Sequence, residues 1–199
     1  MINSLKTLPA FLAFLLLLAA PMAVTAAPTT YQLDTDASRI EFIFIMGGGR
    51  HKGIMPVAKS LIIVNPTNLT LSRVDISLDV AGVRTPLPFV KPALIGPKVL
   101  DAARYPTIRF VSNRVTLGPQ GRLSDGAKIT GKLTMHGITR QVTFDAGLFR
   151  APGSAPDDLS ELSIKLSGQV SRSAFGATGF GDIVGDTIGL NIFAIIRAP

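Results

Sequence analysis

The sequence predicts an all-β fold, one domain of about eight antiparallel strands closed into a barrel or stacked as a sandwich. Three observations carry this. Beyond Thr29, apolar and polar residues alternate with period two over most of the chain. Glycine and proline punctuate the alternating runs at Gly47-Gly48-Gly49, Asn65-Pro66, Gly118-Pro119, Gly121, Gly137 and Pro152-Gly153. There is no cysteine, so the fold rests on its apolar core and not on disulfide staples.

Residues 1–26 read as a signal peptide. Lys6 supplies a positive charge, Leu8 to Ala20 form an apolar run of about thirteen residues, and Pro21 and a small-residue stretch lead to a cleavage point after Ala26. That run is short against the roughly twenty residues of a spanning helix, and an uncleaved anchor is the rival reading. The folded domain is then 27–199, exported through a cleaved leader.

The strands follow in order. Ile40, Phe42, Phe44 and Met46 share one face of the first long run, with Tyr31 to Leu33 a short strand before it and Leu61 to Val64 another after it. Val74, Ile76, Leu78 and Val80 alternate with Asp75, Ser77 and Asp79, and Ile108 and Phe110 sit between Thr107 and Arg109. Ile129, Leu133 and Met135 belong to one face, and Val142, Phe144, Ala146 and Leu148 to the next. Leu162, Ile164, Leu166 and Val170, then Ile188, Leu190, Ile192, Ala194 and Ile196, complete the set. Strands with one dry and one wet face must bury the dry faces against one another. The alternation by itself leaves barrel and sandwich open.

One segment interrupts the rhythm. Residues 86–106, PLPFVKPALIGPKVLDAARYP, hold five prolines and cannot be a central strand. Pro97 followed by KVLDAAR predicts a short helix near residues 97–104, with proline in its first turn. The segment is greasy enough to act as a lid over the domain or as a plug in its end.

The formal charge is +7, spread without a basic block, and is read as a solvated surface or a weak attraction to anionic lipid headgroups. No nucleic-acid motif accompanies it. Nothing in the sequence sets the oligomeric state, and a dimer stays open.

Four stretches together resemble one family. YQLDTDASRIEFIF is similar to its opening, LDAARYPTIRF to its helix-to-strand junction, GKLTMHGITRQVTF to its hairpin, and SRSAFGATGFGDIVGDTIGLNIF to its closing segment. The chain thus resembles the YceI-like family of periplasmic, lipocalin-like polyisoprenoid-binding proteins over most of its length. The resemblance implies a lipocalin-like antiparallel barrel whose interior holds a long isoprenoid tail of quinone or polyprenyl type. The chain departs from the family at Ala81 to Thr85, where AGVRT and the proline-rich segment replace a polar stretch, and at the short GGGRHKG corner.

A ligand of this kind needs concave dry surface and no reactive group. The candidate wall is Phe42, Phe44, Leu78, Val80, Phe110, Leu133, Phe144, Leu148, Ile164, Leu190 and Ile192, with Phe89, Leu94 and Leu100 as lid. Phe175, in RSAFGATGFG, matches a family motif and joins the candidates, and Arg172 beside it is a candidate headgroup contact or else a solvated arginine. The alternative function is a self-filled structural or interaction domain of the envelope with no bound lipid.

An enzyme is not expected. His51 and His136 are the only histidines, each beside glycine and each read as a turn residue in water. No His/Asp/Glu spacing suggests a metal site, and no serine sits in a Gly-x-Ser-x-Gly elbow. GGGRHKG lacks the lysine-serine pair and the helix of a phosphate loop. No cofactor is expected beyond the lipid itself.

Overall fold

The computed structural model describes residues Ala27–Pro199, so the expected signal peptide lies outside the described residues. Nine strands form one sheet: β1 Thr29–Met46, β2 Gly49–Ile54, β3 Val57–Val64, β4 Arg73–Asp79, β5 Thr107–Thr116, β6 Ala127–Met135, β7 Ile138–Arg150, β8 Glu161–Ser171 and β9 Thr187–Arg197. Each pairs antiparallel with its neighbour, and β1 pairs with β9 to close the ring. The result is a closed eight-stranded barrel, because β2 and β3 share one side of β1. Glu41 to Met46 pair with β2, and Thr29 to Tyr31 pair with β3.

The N-terminal strand expected over Tyr31 to Leu33 is the beginning of β1 and not a separate element. A register shift between Asp34 and Arg39 lets the strand continue. There the Asp34 carboxylate accepts hydrogen bonds from the Asp36 and Ala37 amides at 3.1 and 3.0 Å, so the extra residues form a side-chain-capped bulge. The β6–β7 corner has positive φ at both His136 and Gly137, 50° and 74°, the geometry whose twist suits a two-residue hairpin.

The helix lies elsewhere than predicted. It is α1, Val90–Ile95, while residues 97–104 form consecutive turns. Pro92 is tolerated because it stands in the first turn, where amides have no intrahelical partner. After Gly96 turns extended, Asp101 adopts φ 47°, which no right-handed helix can accommodate. The Asp101 amide donates to Gly96 O, and the Arg104 and Tyr105 amides donate to Asp101 O, so the segment folds into stacked turns.

Chain direction assigns the two ends of the barrel. One end carries the Gly47-Gly48 turn, the 80–106 segment, the His136-Gly137 turn and the 172–186 loop. The other carries the chain termini and the connections 65–72, 117–126 and 151–160. At this second end a separate buried cluster of Tyr31, Ile62, Val64, Leu162 and Ile196 forms a floor. Tyr31 Oη donates to Leu159 O at 2.8 Å, and burial pushes its phenol pKa up. Arg197 ties Asp34 of β1 to Glu161 of β8 on the outer face.

Candidate functional site

The inward faces of the strands enclose one continuous cavity of about 330 Å³. Its wall is aliphatic and aromatic, and Ser38 and Arg172 are the only side chains with polar groups among its lining residues. The floor cluster closes it below through Leu33 and Ile62. Above, α1 and the turns after it contribute Val90, Ala93, Leu94, Val99 and Leu100, and the 172–186 loop contributes Phe180, Ile183 and Val184.

Aromatic rings in a small barrel would ordinarily fill its axis. Here three of them are drawn to the wall. A Cβ built at Gly53, Gly131 or Gly168 would fall 2.3, 2.6 and 2.6 Å from the rings of Phe42, Phe110 and Phe144 respectively. Each ring therefore lies over a strand glycine, in the space where a side chain would stand, and the axis is left open. Phe110 and Phe144 meet at a centroid distance of 5.5 Å, and Phe42 stacks on Phe44 at 6.0 Å.

Most of the sequence-predicted residues converge on this cavity. Phe42, Phe44, Leu78, Phe110 and Leu133 line it, as do Phe144, Ile164, Leu190 and Ile192. Phe89, Leu94 and Leu100 close over it from the lid segment. Three do not reach it. Val80, 1% exposed, lies where the lid segment begins, packed into the surrounding core. Leu148 has run past the cavity and packs against the floor cluster. Phe175, 2% exposed, is wedged in the core beneath the short 3-10 turn Ser173–Phe175.

Arg172 is neither solvated nor free to meet a headgroup. It is 6% exposed and donates to four backbone carbonyls: Gly185 at 3.1 Å, Ala177 at 2.5 Å, Gly179 at 2.7 Å and Val184 at 2.9 Å. Its planar fork staples the 172–186 loop into the shape that rims the cavity. Beside it, the Ser171 and Ser173 hydroxyls and the Ser173 amide hold the Asp186 carboxyl below the usual carboxylate range, with a smaller contribution from Arg172.

The histidines differ from the expected water-facing turns. His51 is half-buried with its ring 5.5 Å from that of Phe44. His136 does sit in a turn, but Tyr105 meets its ring edge-on at 5.1 Å and Nδ1 lies 3.3 Å from Phe175 O. Among the described residues no group of three or more His, Asp or Glu side chains is placed to hold a metal ion.

Sequence reasoning missed the rim residues Phe180 and Ile183, whose only sign was a pair of large apolar residues in a glycine-rich loop. It also missed the ring-seating glycines. A glycine inside an alternating strand is the signal that could have found them.

With this geometry in view, the comparisons with known proteins are specific. The model of the YceI-like domain matches residues 31–194. The chain belongs to the YceI-like family. Among curated relatives, a UPF0312 protein of Pseudomonas putida strain F1 is 34% identical over 82 residues, 41% of this chain and 40% of the relative. That of strain W619 is 33% identical over the same length. The matched stretch thus spans about two fifths of these relatives.

Solved structures extend the likeness over the barrel as a whole. BcnA of Burkholderia cenocepacia superposes with a TM-score of 0.70 at 19% identity, covering 82% of this chain and 99% of that one. A polyisoprenoid binding domain from Saccharophagus degradans, implicated in plant cell wall breakdown, gives 0.63 at 12% identity over 86% of this chain and 99% of its own. The Campylobacter jejuni YCEI protein gives 0.58 at 20% identity, covering 71% and 80%. At these identities the likeness shows a shared fold.

Proposed function

We propose that this protein is an exported carrier that sequesters or transports an apolar lipid, an isoprenoid chain of quinone or polyprenyl type, inside its barrel in the periplasm. The observation that carries the reading is the continuous apolar cavity of about 330 Å³. A Leu/Ile/Phe-lined cavity of roughly 150 Å³ already stays dry and accepts a hydrocarbon guest. One about twice that size is within the range of small-molecule sites. A packed interior would have favoured the self-filled structural domain; an open one supports the carrier.

Transfer of hydrocarbon supplies the affinity. Each buried methylene contributes about 0.8 kcal/mol, so one five-carbon isoprene unit contributes at most about 4 kcal/mol before ordering costs. Polar capacity inside is small, because four of the five Arg172 N–H donors go to backbone carbonyls and Ser38 Oγ already accepts from the Ile195 amide at 3.0 Å. Selection is therefore by the tail. The match to the YceI-like family and the polyisoprenoid description of the S. degradans domain support the isoprenoid class. The leader-like residues 1–26 support export.

Native mass spectrometry of the purified protein, with organic extraction of whatever travels with it, tests the reading. The expected result is a bound lipid, or uptake of added polyprenol or ubiquinone at one molecule per chain. A protein that emerges empty and ignores both ligands refutes it.

A further inference from the structure

The barrel has one greasy end and one polar end. Eight large hydrophobic side chains are exposed among the described residues, and five of them, Ile45, Phe89, Ile138, Phe180 and Ile183, belong to the elements at the lid end. Phe89 is 63% exposed, Ile183 52% and Phe180 43%, yet all three also line the cavity. They stand at its entrance, half in and half out. The entrance is built as a unit: the Gly179 amide donates to Lys98 O at 2.8 Å, joining the Phe180 loop to the lid segment, and the Gly47 amide donates to Ile183 O at 3.0 Å.

Charge follows the same polarity. The lid-end segments carry Arg84, Lys91, Lys98 and Arg104, with Arg50 at the start of β2. The acids there are Asp79 at the end of β4, whose carboxylate accepts from the Ala81 amide, Asp101, buried and 3.8 Å from Arg104, Asp186, engaged with Ser173, and Asp182. Arg50, Lys91 and Lys98 make no ion pair among the described residues. At the floor end the connections carry Arg122 against Asp125, Asp157 and Asp158, and the adjoining strand ends add Arg73, Arg150 and Arg197 beside Asp34 and Glu161, leaving that end without a cationic excess. An apolar tip with unpaired cations at its rim, opposite an end without a cationic excess, is the charge and hydrophobic arrangement that orients a body on an anionic bilayer.

We infer that the lid end is a bilayer-docking surface: Phe89, Phe180 and Ile183 insert into the interface of a membrane containing anionic phospholipid, and Lys91, Lys98 and Arg50 meet its headgroups. This rests on the reading of the cavity as a lipid site and gives that site its route of loading. A docked entrance opens directly into hydrocarbon, so a tail passes between membrane and barrel without entering water.

The chain has no tryptophan, so a single introduced indole reports its own surroundings. Phe89→Trp and Phe180→Trp are compared with Leu71→Trp, an exposed position in the 65–72 connection at the floor end. Each is mixed with vesicles of phosphatidylcholine alone or with phosphatidylglycerol, using brominated acyl chains as quencher. Docking predicts a blue shift and quenching at Phe89→Trp and Phe180→Trp with phosphatidylglycerol present, and none at Leu71→Trp. Lys91→Glu with Lys98→Glu should lower the partition coefficient at least about tenfold at low salt, a difference that high salt erases. Absence of vesicle binding, an equal response at Leu71→Trp, or an unaltered charge-reversed variant overturns the proposal.

Uptake of polyprenol from detergent separates the two readings. Charge reversal that abolishes vesicle binding and leaves uptake intact supports docking. Vesicle binding in the predicted pattern by a protein that never takes up lipid leaves docking standing and removes the carrier reading.

Discussion

Replacing Gly168 by alanine tests why the barrel is open. Gly168 lies in β8, and an added Cβ would fall 2.6 Å from Cδ1 of Phe144, against 3.6 Å from the nearest backbone atom, Thr143 O. The backbone tolerates the methyl, and the obstacle is one rotatable ring. Ordinary contact begins at 3.4 Å, so the ring must retreat by about 0.8 Å. Strands flank it on either side, and the way open to it is toward the axis. Overpacking into a filled core costs about 1–3 kcal/mol. Here the ring moves into open space, so the unliganded protein should lose less than about 1 kcal/mol. The ligand bears the rest. If the ring displaces two or three methylenes of a bound tail, at about 0.8 kcal/mol each, affinity falls by about 2 kcal/mol, on the order of thirtyfold. Titration of the purified protein with ubiquinone or a polyprenol measures the loss, and thermal unfolding without ligand measures the stability. Adding Phe144→Leu should restore most of the binding, because the smaller side chain clears both the methyl and the lumen. Unchanged affinity in the single variant, or no recovery in the double one, would refute the account of glycine-seated rings.

Three further outcomes are expected. Arg172→Met should destabilise the protein by about 3 kcal/mol or more, on the order of 10 °C in Tm, because four carbonyls lose a buried charged donor. Arg172→Lys should recover little of this in the same melting assay, since a single ammonium cannot span that fork. Stability against urea should hold from about pH 5 to 8 as far as carboxylates are concerned and fall below about pH 4. The reason is that the Arg109 hydrogen bond holds Asp75 below the usual carboxylate range, and the Ser171 hydroxyl leads in doing the same for Asp186. Depressed folded-state values stabilise the fold above the unfolded pKa, and that contribution disappears as pH falls through them. Asp75→Asn should weaken the acid dependence by under about 1 kcal/mol, as befits a largely exposed pair. Finally, His51→Gln combined with His136→Asn should leave lipid uptake unchanged by native mass spectrometry. A loss of uptake without loss of folding would show that the imidazoles, His51 beside Phe44 above all, take part in the site.

Several features were legible before any coordinates. Period-two alternation is a local property, so β4, β6 and β9 were readable from residues a few positions apart, and their inward residues Leu78, Leu133 and Leu190 could be named as wall. The helix was not, because Pro97 looks like a helix start only until Asp101 is seen to turn left-handed inside a tertiary network. Arg172 was misread because its partners, the carbonyls of residues 177–185, become its partners only when the loop folds over it.

Residue order alone determined most of the strands and their dry faces, the absence of disulfides and the family likeness, but not β2, whose Gly49–Ile54 reads as a glycine corner, nor the unbroken run of β1. Closure, the open axis and the polarity of the ends were decided only in three dimensions. β1 must meet β9 from the far end of the chain, Phe144 must find Gly168 one strand away, and the Gly179 amide must reach Lys98 O across the lid. Those encounters join residues that share no local pattern, and they make the difference between a filled barrel and a container.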